Sequence, residues 1–114
     1  MRLLLRRQSD DVYLHFRGRR TVDPYELRNN GRCVGLNYTQ GLYVLAFFCH
    51  PILSEMDLME IRWPDPDTMP DGWADCLRTE TCTLNKLLAR VGARIICRQG
   101  YYKMIESRAL EMAA

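Results

Sequence analysis

The sequence lacks the long apolar segments that mark membrane and secreted proteins. No apolar run approaches the roughly 20 residues of a membrane-crossing helix, and the longest candidate, residues 42–49, has only the length of a strand. The N-terminal stretch of leucines, residues 3–5, meets arginine too soon for a secretion signal. Internal repeats and low-complexity tracts are missing as well. We therefore expect a globular protein with no membrane partner.

The sequence also lacks the cysteine spacings of metal sites. The closest two of the five cysteines, Cys76 and Cys82, are separated by five residues and have no histidine nearby. An odd number of cysteines does not suit a disulfide framework. Cys49 and Cys97 lie in apolar runs, where a thiol acts as a small hydrophobic group. These features predict no metal and no disulfide, and they favour a reducing, cytoplasmic setting.

Few residues are suited to acid–base chemistry near neutral pH. His15 and His50 are the only histidines. His50 follows the apolar run, but Cys49 beside it would point to the opposite face of a strand. We read His50 as a turn residue, so the catalytic residues are unknown.

Three aspartates in a proline-rich loop resemble the opening of a calcium site. The glycine and the distal glutamate of an EF-hand are not at the required offsets, and prolines stiffen the loop. No calcium site is expected from these residues: Asp65, Asp67 and Asp71.

Length and composition fit one globular domain over residues 1–114. The chain is 47% hydrophobic and 26% charged, with a formal net charge of +2. Residues 1–32 hold eight arginines against four acids, whereas residues 53–82 hold eight acids against two arginines. Residues 83–114 hold six basic and two acidic residues. Such alternation produces either a dipolar surface that orients a partner or ordinary solvated faces.

Patterning in the first half predicts a strand, a helix and a hairpin. Apolar and polar residues alternate over 12–16, which predicts a strand with residues 1–7 as its hairpin partner. Asp23, followed by proline and an acid, predicts the start of a short helix that ends at Gly31. Residues 33–38 and 42–48 flank a short connection with a glycine, which predicts a hairpin.

Patterning in the second half predicts a helix and two strands. Residues 53–63 suit a strand or a helix, and residues 64–72 predict a loop. Leu84, Leu88 and Val91 share a helical face, with Gly92 at the helix end. Residues 94–98 and 101–106 predict strands, and residues 107–114 have helix-forming composition.

Together these elements predict an α+β fold. We expect a small mixed or antiparallel sheet with a central hairpin (33–38, 42–48) and one or two covering helices. The all-apolar strand 42–48 would be covered on both faces.

An arginine cluster near the N-terminus is the candidate partner-binding site. It consists of Arg17, Arg19 and Arg20. Arginine makes paired hydrogen bonds to carboxylates and is enriched at interface hot spots. Nearby aromatic residues leave single-stranded nucleic acid as an alternative partner.

Residues 81–104 resemble a known enzyme family. The run Thr81-Cys82-Thr83-Leu84-Asn85-Lys86-Leu87-Leu88-Ala89-Arg90-Val91-Gly92-Ala93, followed by two short strands ending in Tyr101-Tyr102-Lys103-Met104, is similar to the C-terminal part of GNAT (Gcn5-related N-acetyltransferase) proteins. The closest likeness is to the reduced forms carried by tailed phages, including an internal virion protein group. The resemblance implies a truncated GNAT-like fold, with a setting in a virion or in the host cytoplasm.

The chain departs from the family at the coenzyme and catalytic positions. The family cradles the coenzyme A pyrophosphate with a loop of the form [Q/R]-x-x-G-x-[G/A], yet no glycine lies between Gly41 and Gly72. Leu88 stands at the position of the family's tyrosine acid, and Thr81 at that of its asparagine. The resemblance therefore implies a noncatalytic protein-interaction module without a cofactor. An N-acyltransferase that uses acetyl-CoA is the alternative.

Overall fold

Four antiparallel strands form the first sheet of the structure, a computed structural model that describes residues 3–6, 12–18, 23–29 and 31–105. The strands are β1 (Leu3–Arg6), β2 (Val12–Phe16), β3 (Tyr25–Asn29) and β4 (Arg32–Leu36). Their order in the sheet is the order of the sequence. Leu14 lies opposite Leu27, and Leu27 lies opposite Val34. The predicted pairing of residues 1–7 with residues 12–16 is confirmed for Leu3–Arg6.

The helix predicted from Asp23 to Gly31 is wrong, since β3 occupies this segment. Leu27 and Asn29 are buried while Arg28 between them is exposed, which is the alternation of a half-buried strand. Gly31, with φ of 82°, lies in the two-residue connection to β4. The Asn-Gly sequence of that connection is a strong hairpin signal, and it prevails over the capping pattern at the start of the segment.

The strand predicted over 42–48 is also wrong, because residues 38–49 form helix α1 (Tyr38–Cys49). Asn37 and Gln40 make a reciprocal capping box that fixes the start of the helix. A short apolar run fits a buried helix as well as a buried strand, so periodicity does not distinguish them. The predicted central hairpin (33–38, 42–48) is therefore absent from these residues. Its first strand is confirmed as β4.

The second half of the chain contains two helices and a three-stranded antiparallel sheet. The elements are β5 (Leu53–Ser54), α2 (Glu55–Arg62), α3 (Trp73–Leu88), β6 (Arg94–Arg98) and β7 (Tyr101–Ile105), with 3₁₀ turns at Pro66–Thr68 and Ala89–Val91. The strand order is β5-β7-β6. Residues 53–63, left undecided by the pattern, are mostly helix.

The predicted helix end at Gly92 is confirmed for the 3₁₀ turn Ala89–Val91 that continues α3, whereas the α-helix itself ends at Leu88. Gly92 adopts the left-handed conformation, with φ of 70°. The predicted strands at 94–98 and 101–106 are confirmed up to Ile105. The predicted helix-forming tail, residues 107–114, lies outside the described residues.

The hydrophobic core joins both sheets and all three helices, so the fold is α+β as expected. Leu14 and Leu27 contribute from the four-stranded sheet, and Ile95 and Met104 from the three-stranded sheet. In the described part of the chain, no helix is both long and apolar enough to cross a membrane. Each sheet presents its second face outward, and these outer faces carry the candidate sites.

Candidate functional site

The outer face of the four-stranded sheet carries a network of ion pairs. Glu26 lies at its centre, and its side chain is only 13% exposed. Arg17 donates to Glu26 from Nη2 at 2.9 Å, and Arg28 donates to it from the neighbouring position along the same face. The hydrogen bond from Arg28 is the largest cause that holds the pKa of Glu26 below its ordinary value. The carboxylate is therefore charged at neutral pH and forms ion pairs with both arginines.

Because of this network, one arginine of the candidate partner-binding cluster already has a partner within the chain. Arg17, the described member, lies just after β2 and is paired with Glu26. Arg19 and Arg20 lie outside the described residues. The guanidinium of Arg17 would have to leave Glu26 to bind a new carboxylate or phosphate. The cluster as a partner site stays a prediction.

Two residues considered for catalysis, Cys49 and His50, lie together at the end of α1. Cys49 ends α1 and His50 is its C-terminal cap, and both are exposed. Adjacent side chains point to opposite faces on a strand but not at a helix end, so the expected separation of Cys49 and His50 does not apply here. Cys97, expected to act as a small hydrophobic group, is exposed, as is Cys49.

The aspartate-rich loop is held by its own backbone contacts. Asp65 caps the 3₁₀ turn at Pro66–Thr68, since its Oδ1 accepts a hydrogen bond from the Asp67 nitrogen at 3.0 Å. Across residues 3–6, 12–18, 23–29 and 31–105, no group of three or more His, Cys, Asp or Glu side chains is placed to hold a metal ion.

The start of α1 is the helix N-terminus that follows the four-stranded sheet. Two of its backbone amides are already engaged, because the Gln40 nitrogen donates to Asn37 Oδ1 at 2.8 Å and the Asn37 nitrogen donates to Gln40 Oε1 at 2.9 Å. Gly41 in the first turn is buried against the ring of Tyr25, which would lie 2.1 Å from an added Cβ. The missing side chain of Gly41 therefore makes room for Tyr25.

A half-buried polar cluster links the three helices. The Tyr43 hydroxyl donates to Glu80 Oε1, and Arg62 makes a paired contact to the same carboxylate with both nitrogen–oxygen distances at 3.0 Å. Burial is the main cause that raises the pKa of Tyr43 above its ordinary value, with the hydrogen bond to Glu80 second. The guanidinium of Arg62 also lies 4.9 Å from the centre of the Trp63 ring. This cluster fastens the helices and was not predicted.

An apolar groove with basic residues runs along the outer face of the three-stranded sheet. Ile52 and Tyr101 are each 57% exposed although both are large apolar residues. They border a shallow cavity of about 140 Å³. We call this surface the outer groove, and it consists of Ile52, Ile96, Arg98, Tyr101, Tyr102 and Lys103.

A second cavity of opposite charge adjoins the outer groove. Its volume is about 430 Å³, and it shares Ile52 with the outer groove. We call it the acidic cavity, and it is lined by His50, Ile52, Leu53, Asp57, Glu60 and Ile61. Hydrogen bonds from Ser54 hold the pKa of Asp57 below its ordinary value. Its carboxylate is therefore charged at neutral pH.

Sequence reasoning missed both cavities, although one signal was present. The acidic run over residues 53–82 and the basic run that follows it were visible in the sequence. The pairing of β5 with β7, which brings Ser54 opposite Tyr101, is what places the two runs side by side. No family model matches the chain, and no curated protein or solved structure is significantly similar to it.

Proposed function

We propose that the chain is a noncatalytic protein-interaction module and that its contact surface is the outer groove. The observation that carries the proposal is the joint exposure of Ile52 and Tyr101 beside one cavity. Large apolar side chains grouped on a surface mark interaction sites, whereas single ones are common everywhere. Arg98 and Lys103 at the same cavity add charges that can orient a partner.

The start of α1 supports the noncatalytic part of the proposal. An acyl coenzyme A would need several free backbone amides at a helix N-terminus. A cavity of about 210 Å³ lies at the start of α1, but the side chain of Asn37 occupies the Gln40 amide and the side chain of Gln40 occupies the Asn37 amide. Calorimetry with acetyl-CoA tests this directly. Binding in the micromolar range would favour the N-acyltransferase alternative.

The GNAT resemblance over residues 81–104 belongs to the same proposal. Helix α3 followed by β6 and β7 is compatible with the helix and two strands of the resembling segment, whereas the hairpin expected upstream of it is replaced by β4 and α1. The phage setting, as a virion component or a binder of a host protein, is proposed with it. The nucleic-acid alternative depends on the arginine cluster, and the ion pair between Arg17 and Glu26 makes it less favourable.

Capture experiments with matched variants test the contact surface. The immobilised chain is exposed to a bacterial lysate, and captured proteins are identified by mass spectrometry. The groove variant carries Ile52→Asp with Tyr101→Ser, and one control carries alanine at Arg17, Arg19 and Arg20. A second control carries asparagine at Asp65, Asp67 and Asp71.

We expect the groove variant to lose most of the captured protein. Of the two controls, the sequence predicts a larger loss of captured protein for the arginine variant than for the asparagine variant. Each variant must first give the parent's circular dichroism spectrum. If the groove variant captures the same protein as well as the parent does, the outer groove is not the contact surface.

A further inference from the structure

The surface around Ile52 has an apolar centre with opposite charges on its two sides. Ile52 lines both the outer groove and the acidic cavity. Arg98 and Lys103 line the outer groove, and Asp57 and Glu60 line the acidic cavity that shares Ile52 with it. The surface therefore changes sign across a single exposed side chain.

The charges on this surface are available to a partner. Arg98, Lys103 and Glu60 form no ion pair with any other residue of the described segments. Asp57 accepts a hydrogen bond from the Ser54 nitrogen at 3.1 Å and interacts with His50 of the same cavity, but it forms no ion pair with an arginine or lysine of those segments. A carboxylate has further acceptor sites beyond one hydrogen bond. Glu26 differs from these residues, because its carboxylate already binds two arginines.

A surface of this kind is complementary to itself. A two-fold interface places the same patch of both copies in contact, so each residue meets the residues on the opposite side of the axis. With Ile52 near the axis, the acidic cavity of one copy faces the basic side of the outer groove of the other. Both opposite-charge contacts then form twice, around an apolar centre that excludes water.

We propose that the partner of the outer groove is a second copy of this chain, bound as a two-fold dimer around Ile52. This inference rests on the proposed function, because it names the partner for the same surface. An external partner of one charge would match only one side of Ile52 and would repel the other side. A second copy matches both sides at once.

Charge reversal with complementation tests the dimer. One variant carries Glu60→Lys, and the other carries Arg98→Glu with Lys103→Glu. Each variant alone brings like charges together twice across the axis, so its dimerisation should weaken by at least about tenfold. When the two variants are mixed, the Glu60→Lys site of one copy meets the Arg98→Glu and Lys103→Glu sites of the other, and the second contact keeps the parent's residues. The mixture should therefore form a dimer about as strong as the parent.

The mass is measured by sedimentation and light scattering between about 1 μM and about 1 mM, the range of weak specific complexes. Arg90→Glu, an exposed arginine outside both cavities, is the matched control and should dimerise as the parent does. Raised salt should weaken the parent dimer, because exposed charges are screened. Recovery in the mixture excludes misfolding as the cause of the single-variant losses.

Two results would overturn the inference. The first is a parent chain that stays monomeric throughout this range. The second is a mixture that fails to recover the dimer while each variant is folded. If the parent is monomeric but lysate capture still depends on Ile52, the dimer is wrong and the proposed function stands. If neither association nor capture depends on Ile52, the dimer and the proposed function are both wrong.

Discussion

The outer faces of the two sheets treat their charged residues in opposite ways. On the four-stranded sheet, Glu26 binds both Arg17 and Arg28, and the charges are satisfied inside the chain. Beside the three-stranded sheet, Arg98, Lys103 and Glu60 line the two cavities that share Ile52 and form no ion pair in the described segments. The ion pairs of the first surface contribute to the stability of the fold, whereas the charged side chains of the second are available to bind another molecule.

The same contrast extends to packing. The four-stranded sheet is pressed against α1 so closely that Gly41 has no room for a side chain beside Tyr25. At the three-stranded sheet, Ile52 and Tyr101 project into solvent. We therefore expect substitutions in the first region to change the free energy of unfolding, and substitutions at the outer groove to change association instead.

The largest effect on stability is expected for Gly41→Ala. The added methyl group would lie 2.1 Å from a ring carbon of Tyr25, so the ring or the helix has to move. Alanine is favoured over glycine in a helix by about 1 kcal/mol. Overpacking opposes this gain and exceeds it. We expect a net loss of about 2 kcal/mol in the free energy of unfolding, measured by chemical denaturation.

Two matched changes establish the cause. Gly72→Ala, where an added Cβ has open space, should cost less than about 1 kcal/mol. In a Tyr25→Leu background, Gly41→Ala should cost less than it does in the parent. An equal cost in both backgrounds would show that contact with Tyr25 is not the reason for the glycine.

The next effect is expected for Tyr43→Phe in the cluster between the helices. The change removes the hydrogen bond from a fully buried ring to Glu80 and leaves the contact of Arg62 in place. We expect a loss of about 1.5 kcal/mol. Tyr38→Phe is the control, since Tyr38 is 59% exposed, and it should change stability by less than about 0.5 kcal/mol. Equal effects would mean that the cluster does not fasten the helices.

A smaller effect with a definite pH dependence is expected for Glu26→Gln. The two arginines of the network are partly exposed, so solvent screens the pairs and the loss near neutral pH should be about 1 kcal/mol. The pKa of Glu26 is lowered in the folded state, so its contribution is present above the ordinary value of 4.5 and is lost as pH falls through the lowered value. The difference between parent and variant should therefore shrink in acid. A difference that grows in acid would contradict the ion-pair account.

The sequence predicts the two regions to different extents, and the reasons are physical. Gly92, the strands on both sides of Gly100 and the alternation over 12–16 depend on local geometry, and all were predicted correctly. The strand predicted over residues 42–48 is wrong because a short apolar run does not reveal its period, and the capping box at Asn37 is the local signal of a helix. The outer groove was not predicted, because only the pairing of β5 with β7 brings Ile52 beside Tyr101.

The smallest effect, and the only gain, is expected at the turn that carries the outer groove. Gln99 has φ of 53° and Gly100 has φ of 79°, so both central residues of the β6–β7 hairpin adopt positive φ. Asn-Gly is the favoured sequence for such a turn, since asparagine tolerates this conformation better than glutamine does. Gln99→Asn should therefore stabilise the fold by about 0.5 kcal/mol, whereas Gln99→Ala should give no gain. Because Arg98 and Tyr101 keep their positions on a more stable hairpin, dimerisation should be unchanged or slightly stronger in the Gln99→Asn variant. A stabilised chain that associates more weakly would mean that the groove has to change shape in order to bind.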